Sequence, residues 1–189
     1  IVPASAYADT NIVNGMSLYQ RDAQFANAAC VAGVNIEKIA GREVSAMEAI
    51  DWLEALERNF YTYSNGFRAP FCSIYGFLNK KTPSQNSKTS YPLGLIPAPL
   101  WELLPQEVSN AIRESLKDFS RKIKGFERGN IMGLESKTSS PVQVLREKNG
   151  LCNGFSNLYL IGEGSGYAGG IISSAADGLK TAIGIIDEY

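Results

Sequence analysis

Apolar positions fall at helical spacing in three stretches of the chain. After Ser45, the residues Met47, Ile50, Leu53, Leu56 and Phe60 stand three or four apart, which predicts a helix with one apolar face. Ser45 and Glu48 form a capping box at its start, each side chain placed to satisfy a free backbone N–H, and Asn65-Gly66 marks its end. From Pro105, a favourable first helical residue, Val108, Ile112, Leu116, Phe119 and Ile123 predict a second helix, with Gly125 suited to a left-handed stop. Pro97, Pro99 and Pro105 bracket a short helical turn around Trp101. The third helix closes the chain. Its stripe of Ile172, Ala176, Leu179, Ile183 and Ile186 is expected to pack inward, with Ser173, Ser174, Asp177, Lys180 and Thr181 on the polar side.

Strand signals are shorter. Asn11-Ile12-Val13 and the run from Ala29 to Val34 are β-prone, and Asn14-Gly15 is a strong turn dipeptide, so a small antiparallel element is expected in the first forty residues. Leu158-Tyr159-Leu160-Ile161 reads as a buried strand. Residues 79–92 have no apolar side chain before Tyr91 and read as a long exposed loop, whose lysines are solvated rather than gathered on a partner. No internal repeat is present. These elements make an α+β fold, with helices and a small antiparallel sheet up to about residue 135 and a strand-turn-helix unit over 136–189.

Composition narrows the chemistry. With 44% hydrophobic and 20% charged residues the chain is globular in character, and its 189 residues suffice for a real core. Eighteen basic against nineteen acidic side chains give a net charge of -1, too balanced for a protein that lives on phosphate-backbone attraction, so nucleic acid is not expected as a partner. No apolar run is long enough for a bilayer, so no membrane partner is expected either. Histidine is absent. That removes Ser-His-Asp and Cys-His nucleophiles and histidine-held metals, and no metal site is expected. Cys30, Cys72 and Cys152 are odd in number and far apart, which suits buried free thiols in a reducing compartment such as the cytoplasm. The chain opens on Ile1-Val2-Pro3 rather than on methionine, as a piece of a longer polypeptide would.

The chemical signal lies in the tail. Leu158–Ile161 runs straight into Gly162-Glu163-Gly164-Ser165-Gly166-Tyr167-Ala168-Gly169-Gly170 and then into the last helix, with five glycines in nine residues. A glycine-rich turn before a helix N-terminus presents free N–H groups and about half a positive charge to whatever sits there. The spacing is not that of a P-loop, since no Gly-Lys-Ser/Thr closes it. Nor is it a complete dinucleotide unit, which needs a further parallel strand and an acidic residue about twenty positions on. The turn reads as the end of a cofactor fold whose beginning lies elsewhere. Gly178 and Gly184 each cost the helix about 1 kcal/mol relative to alanine, which close approach of another element would explain. A tight turn with no ligand remains the alternative for the glycines, and a solvated loop residue the alternative for Glu163.

The segment from Leu160 to Gly178 resembles the C-terminal motif of a family of uncharacterised FAD-dependent dehydrogenases, flavoproteins of the glutathione-reductase-like kind. Asn14-Gly15-Met16-Ser17, Arg21-Asp22, Asn27-Ala28, Phe67-Arg68-Ala69-Pro70, Leu103-Leu104-Pro105, Arg121 to Phe126 and Thr138 to Val142 follow in that family's order. Val2-Pro3-Ala4-Ser5 stands where the family tends to have Cys-Pro-Gly-Gly, and Phe71 to Tyr75 also departs from its pattern. The resemblance implies a C-terminal fragment of an FAD-dependent oxidoreductase that moves hydride through flavin, with NAD(P)H a candidate electron donor and a small molecule as substrate. Residues 1–135 would be the substrate or cap domain, and 136–189 the closing part of the FAD domain. By the same resemblance Glu163 would accept hydrogen bonds from the ribityl hydroxyls, and Gly169, Gly170 and Ile171 would present N–H groups to the flavin ring. Gly162, Gly164, Tyr167, Thr138, Ser139 and Ser140 would complete the pocket. An ordinary turn around Pro141 is the alternative for the last three. Arg21 and Arg68 are candidates for an anionic substrate, with structural ion pairs as the alternative. Without the upstream segment that binds the adenine half, the fragment alone is expected to be inactive. Two further readings stay open: a non-enzymatic interaction module, and a small self-contained phosphate-binding domain.

Overall fold

A computed structural model describes residues 1–5 and 7–188. It divides into two compact units, one of Ile1–Arg42 with Trp52–Ser136, the other of Glu43–Asp51 with the residues from Lys137 onward. Both helices and small sheets are present, and the α+β class holds.

In the first unit, β1 (Val2–Pro3) pairs antiparallel with β2 (Val13–Asn14). The connection folds back before Asn14-Gly15, where Ala4 N donates to Ile12 O at 2.9 Å, so Asn14 ends a strand instead of making the hairpin turn its sequence suggested. Residues 29–34 form no strand. The short α1 (Ile36–Ala40) is capped by Asn35 and stopped by a left-handed Gly41. Helix α2 (Ala46–Ser64), whose first residues up to Asp51 belong to the second unit, begins on the expected capping box: Ser45 N donates to Glu48 Oε2 at 2.9 Å, and Glu48 N donates to Ser45 Oγ at 3.3 Å.

Strand β3 (Ala69–Ser73) is the centre of a three-stranded sheet, parallel to β4 (Leu95–Pro97) and antiparallel to β5 (Asn130–Met132). Side chains alternate across it. Ala69 and Phe71 join a cluster with Val13, Tyr91 and Leu95, while Cys72 points to the larger core of Phe60, Phe77, Leu100, Trp101, Ile112 and Leu116. That core is supplied by α2, α3 (Ile74–Asn79), α4 (Leu100–Leu103) and α5 (Gln106–Lys122). Pro105 stands just outside α5 as its cap, and the helix ends on an extended Ile123 two residues before the left-handed Gly125. Glu57 lies on the inner side of α2 between Leu53 and Phe60, fully buried, and accepts from Ser136 Oγ at 2.5 Å. Nearby in the chain's fold, buried Asn11 donates through Nδ2 to Ser64 Oγ, Gly66 O and Arg68 O at 3.1, 3.2 and 2.8 Å.

The second unit is built differently. Leu158–Ile161 is no strand: its pairing is one bridge, Leu151 to Tyr159, because no neighbouring strand is present among the described residues of that unit to accept its edges. Helix α6 (Ile171–Glu188) also turns over the expectation for its two sides. Thr181 is buried and Asp177 and Ser174 half-buried, while Ile172 and Ile186 are 81% and 73% exposed and Leu179 and Ile183 also face solvent. Ser174, Asp177 and Thr181 are turned inward, Asp177 meeting an arginine and a backbone N–H that need acceptors, while Ser173 and Lys180 stay exposed as expected. No described residue sits within 4 Å of a Cβ built at Gly184, and at Gly178 only Ile161 Cδ1 approaches, at an ordinary 3.5 Å. Close packing within this chain therefore accounts for neither glycine.

Candidate functional site: a glycine turn held by an arginine and an aspartate

The backbone leaves the 158–161 segment through Gly162, at φ 75 and ψ -157, a conformation that favours glycine. Gly162 N donates to Asp177 Oδ2 at 2.8 Å, which ties the turn to α6. Residues Glu163–Ser165 make one 3-10 turn, locked by the buried Ser165, whose Oγ donates to Gly162 O at 2.6 Å. Gly166 follows at φ 81, and a Cβ there would meet Val142 O at 2.5 Å and Gln143 Cα at 2.8 Å. Gly162 and Gly166 are thus explained by the fold itself.

Asp177 is the hub of the arrangement. Its two oxygens accept from Arg146 Nη1 and Nη2 at 3.0 and 2.8 Å, a bidentate pair, and Arg146 Nη1 also donates to Leu160 O at 2.9 Å. The guanidinium lies 4.0 Å from the centre of the Tyr167 ring. These bonds from Arg146, and then the Gly162 N–H, hold the Asp177 carboxyl below its ordinary range. Neither Arg146 nor this use of Asp177 was visible in the sequence, where Arg146 sits in a charged stretch without periodicity.

The remaining glycines have no such explanation. A Cβ on Gly164 would meet nothing within 4 Å, and one on Gly169 would reach only Ser139 Cβ at 3.8 Å and Thr138 O at 4.0 Å. Neither has a left-handed backbone. Glu163, Gly169, Gly170 and Ile171 are all exposed; Gly170 N donates to Ser173 Oγ at 3.1 Å, while the N–H groups of the first turn of α6, from Ile171 onward, lack backbone acceptors within the helix. Open backbone, a solvent-facing carboxylate and free amide hydrogens are therefore presented on one turn. This suits a ligand that carries hydrogen-bond donors beside acceptors.

Thr138 and Ser139 are brought beside Gly169, both exposed, in a bend rather than a strand. Ser140 serves its own turn, its Oγ donating to Val142 O at 2.8 Å. Tyr167 is half exposed beneath Arg146. In the first unit, Arg68 donates to Ser64 O at 3.2 Å, and neither Arg68 nor the exposed Arg21 forms an ion pair among the described residues. Cys72 is buried and its thiol pushed up to about 12 by burial, while Cys30 is half-buried and raised for the same reason. No described helix is long and apolar enough to cross a membrane.

Comparison with known proteins adds to this geometry. Residues 1–138 match the family model described as FAD-dependent protein, C-terminal domain-like. An uncharacterised protein of Clostridium beijerinckii is 33% identical over 195 aligned residues, which take in 100% of this chain and 36% of the relative. The chain thus spans about a third of the length of this curated relative, and the similarity continues through the glycine turn, beyond the end of the family match. On the match over residues 1–138, the chain belongs to the FAD-dependent protein, C-terminal domain-like family.

Proposed function

We propose that the chain is the C-terminal part of an FAD-dependent oxidoreductase of the glutathione-reductase-like kind, and that residues 162–171 are the flavin-side half of its cofactor site. The observation that carries this reading is the open backbone at Gly164 and Gly169, which neither backbone strain nor packing in this chain requires, next to an exposed Glu163 and the free N–H groups of α6. FAD, when bound, supplies hydride acceptance and donation.

The residues would divide the work of holding it. Glu163 accepts hydrogen bonds from ribityl hydroxyls. Amides at Gly169 and Ile171 donate to the ring and favour negative charge there, helped by the positive end of α6, and the Gly170 amide joins them only by giving up its bond to Ser173 Oγ. Thr138 and Ser139 border the same place, and Arg146 acts through Asp177 to position the turn. Residues up to about 135 form the cap or substrate side. A reduced nicotinamide is the proposed electron donor. The exposed apolar stripe of α6 is read as the surface that the rest of the longer protein covers.

The test is flavin reconstitution. Stripped of cofactor, the full-length protein should take up FAD, and Glu163→Gln should weaken that uptake by about tenfold or more, the effect of losing a charged acceptor. Equal uptake by the variant and the wild type would remove Glu163 from the site. The isolated 189-residue chain should bind FAD weakly or not at all.

A further inference from the structure

A second candidate place in the molecule lies wholly within the first unit. A cleft of about 400 Å³ is lined by Lys80, Trp101, Glu102, Leu104, Gln106, Ser109 and Arg113. Its floor is the start of α5. Pro105 offers that helix no side-chain cap, and Gln106 turns its amide to Asn110 Oδ1 instead, so the first-turn N–H groups are uncapped.

Three further features distinguish the cleft from an ordinary helix start. Ser109 is 1% exposed and its hydroxyl has no hydrogen-bond partner. Arg113, one turn further along, has an Nε that is shielded from solvent and also lacks an acceptor. Lys80, held in a left-handed conformation at the end of α3, brings a second cation, and neither it nor Arg113 forms a salt bridge among the described residues. Of the acidic groups nearby, Glu102 belongs to the lining and sets one carboxylate against the two cations, while Glu107 is not among the lining residues. Glu102 accepts from Trp101 Nε1 at 3.1 Å, and the exposed Glu107 faces Lys38 at 3.8 Å. Buried polar groups without partners are costly; Arg113 Nε is a donor, and the Ser109 hydroxyl can donate as well as accept.

We propose that this cleft binds a small oxyanion, a phosphoryl group held by Lys80, the Arg113 guanidinium and the first-turn amides of α5. An oxyanion seated there would supply the acceptor that Arg113 Nε and the Ser109 hydroxyl lack. Trp101 and Leu104 form an apolar wall beside it, which suits a phosphate ester with a small flat body as well as free phosphate.

Calorimetric titration of the full-length protein, with excess FAD present throughout, tests this with two probes, inorganic phosphate and phenyl phosphate. Saturable binding is expected, weakened about tenfold or more by Arg113→Met and by Lys80→Asn, each of which removes one charge-assisted contact. Lys80→Asn keeps a residue suited to the left-handed conformation, so it carries the test if Arg113→Met melts early. Tighter binding of phenyl phosphate assigns the site to a phosphate ester on Trp101, and equal binding assigns it to the free anion. Absence of saturable binding by both probes, or affinities unchanged in Lys80→Asn, would overturn the proposal. Because FAD uptake is measured separately, failure here leaves the flavin reading standing, and the reverse also holds.

Discussion

Arg146 and Asp177 face each other as a fork-to-fork pair, and through it Asp177 still has an oxygen for Gly162 N at 2.8 Å. The pair is therefore part of the turn's backbone support, not a surface ornament: the arginine side chain is only 6% exposed. Removing the arginine head with Arg146→Met should release both the carboxylate and the Leu160 carbonyl it bonds. The expected outcome is faster hydrogen exchange at the Gly162 amide, by about tenfold or more, with α5 unaffected.

The same pair predicts a pH dependence. Arg146 and the Gly162 N–H lower the folded pKa of Asp177, so this carboxylate contributes stability at neutral pH. That contribution is lost as pH falls from the ordinary aspartate range through the lower folded value, where the proton that unfolding would admit is taken up by the native state. Protection of Gly162 should decline on that acid limb. In Asp177→Asn it should be low already at neutral pH and flat across the same window.

Gly164 and Gly166 are two residues apart and should respond oppositely. Gly166→Ala puts a Cβ 2.5 Å from Val142 O in a left-handed backbone, so it should destabilise the second unit by more than about 1 kcal/mol, read as a lower Tm. Gly164→Ala meets open space and should change stability by no more than about 0.5 kcal/mol. Its effect should instead fall on flavin uptake by the full-length protein.

The first unit has a polar tie whose loss is measurable. Asn11 is fully buried and spans from the N-terminal segment to the end of α2 and the residues after it. Asn11→Ala leaves the Ser64, Gly66 and Arg68 acceptors without that donor and should cost about 1–3 kcal/mol, seen by thermal or denaturant unfolding.

What the sequence revealed and what it hid follow from where each interaction is local. The capping box of α2 needs only Ser45 and Glu48, and α5 needs only its own apolar spacing, so both are legible along the chain. Leu158–Ile161 has a strand's composition, yet a strand exists only beside another, and composition carries no information about whether one is at hand. The stripe of α6 was equally plain, but its direction depends on what it packs against, and in the second unit the available neighbours are Arg146 and the Gly162 backbone. The glycine turn was legible as a run of glycines. Which of them the fold uses, Gly162 and Gly166, and which it leaves open, Gly164 and Gly169, required the backbone angles and neighbours. Glu57 gave no sign of burial, since a glutamate on an amphipathic helix ordinarily faces water.

The central claim is that the glycine turn is half of a flavin site, and the visible absorption spectrum of the full-length protein tests it most directly. The account predicts a yellow protein with a bound-flavin spectrum that bleaches on reduction. A colourless full-length protein whose spectrum stays unchanged after incubation with FAD would contradict it.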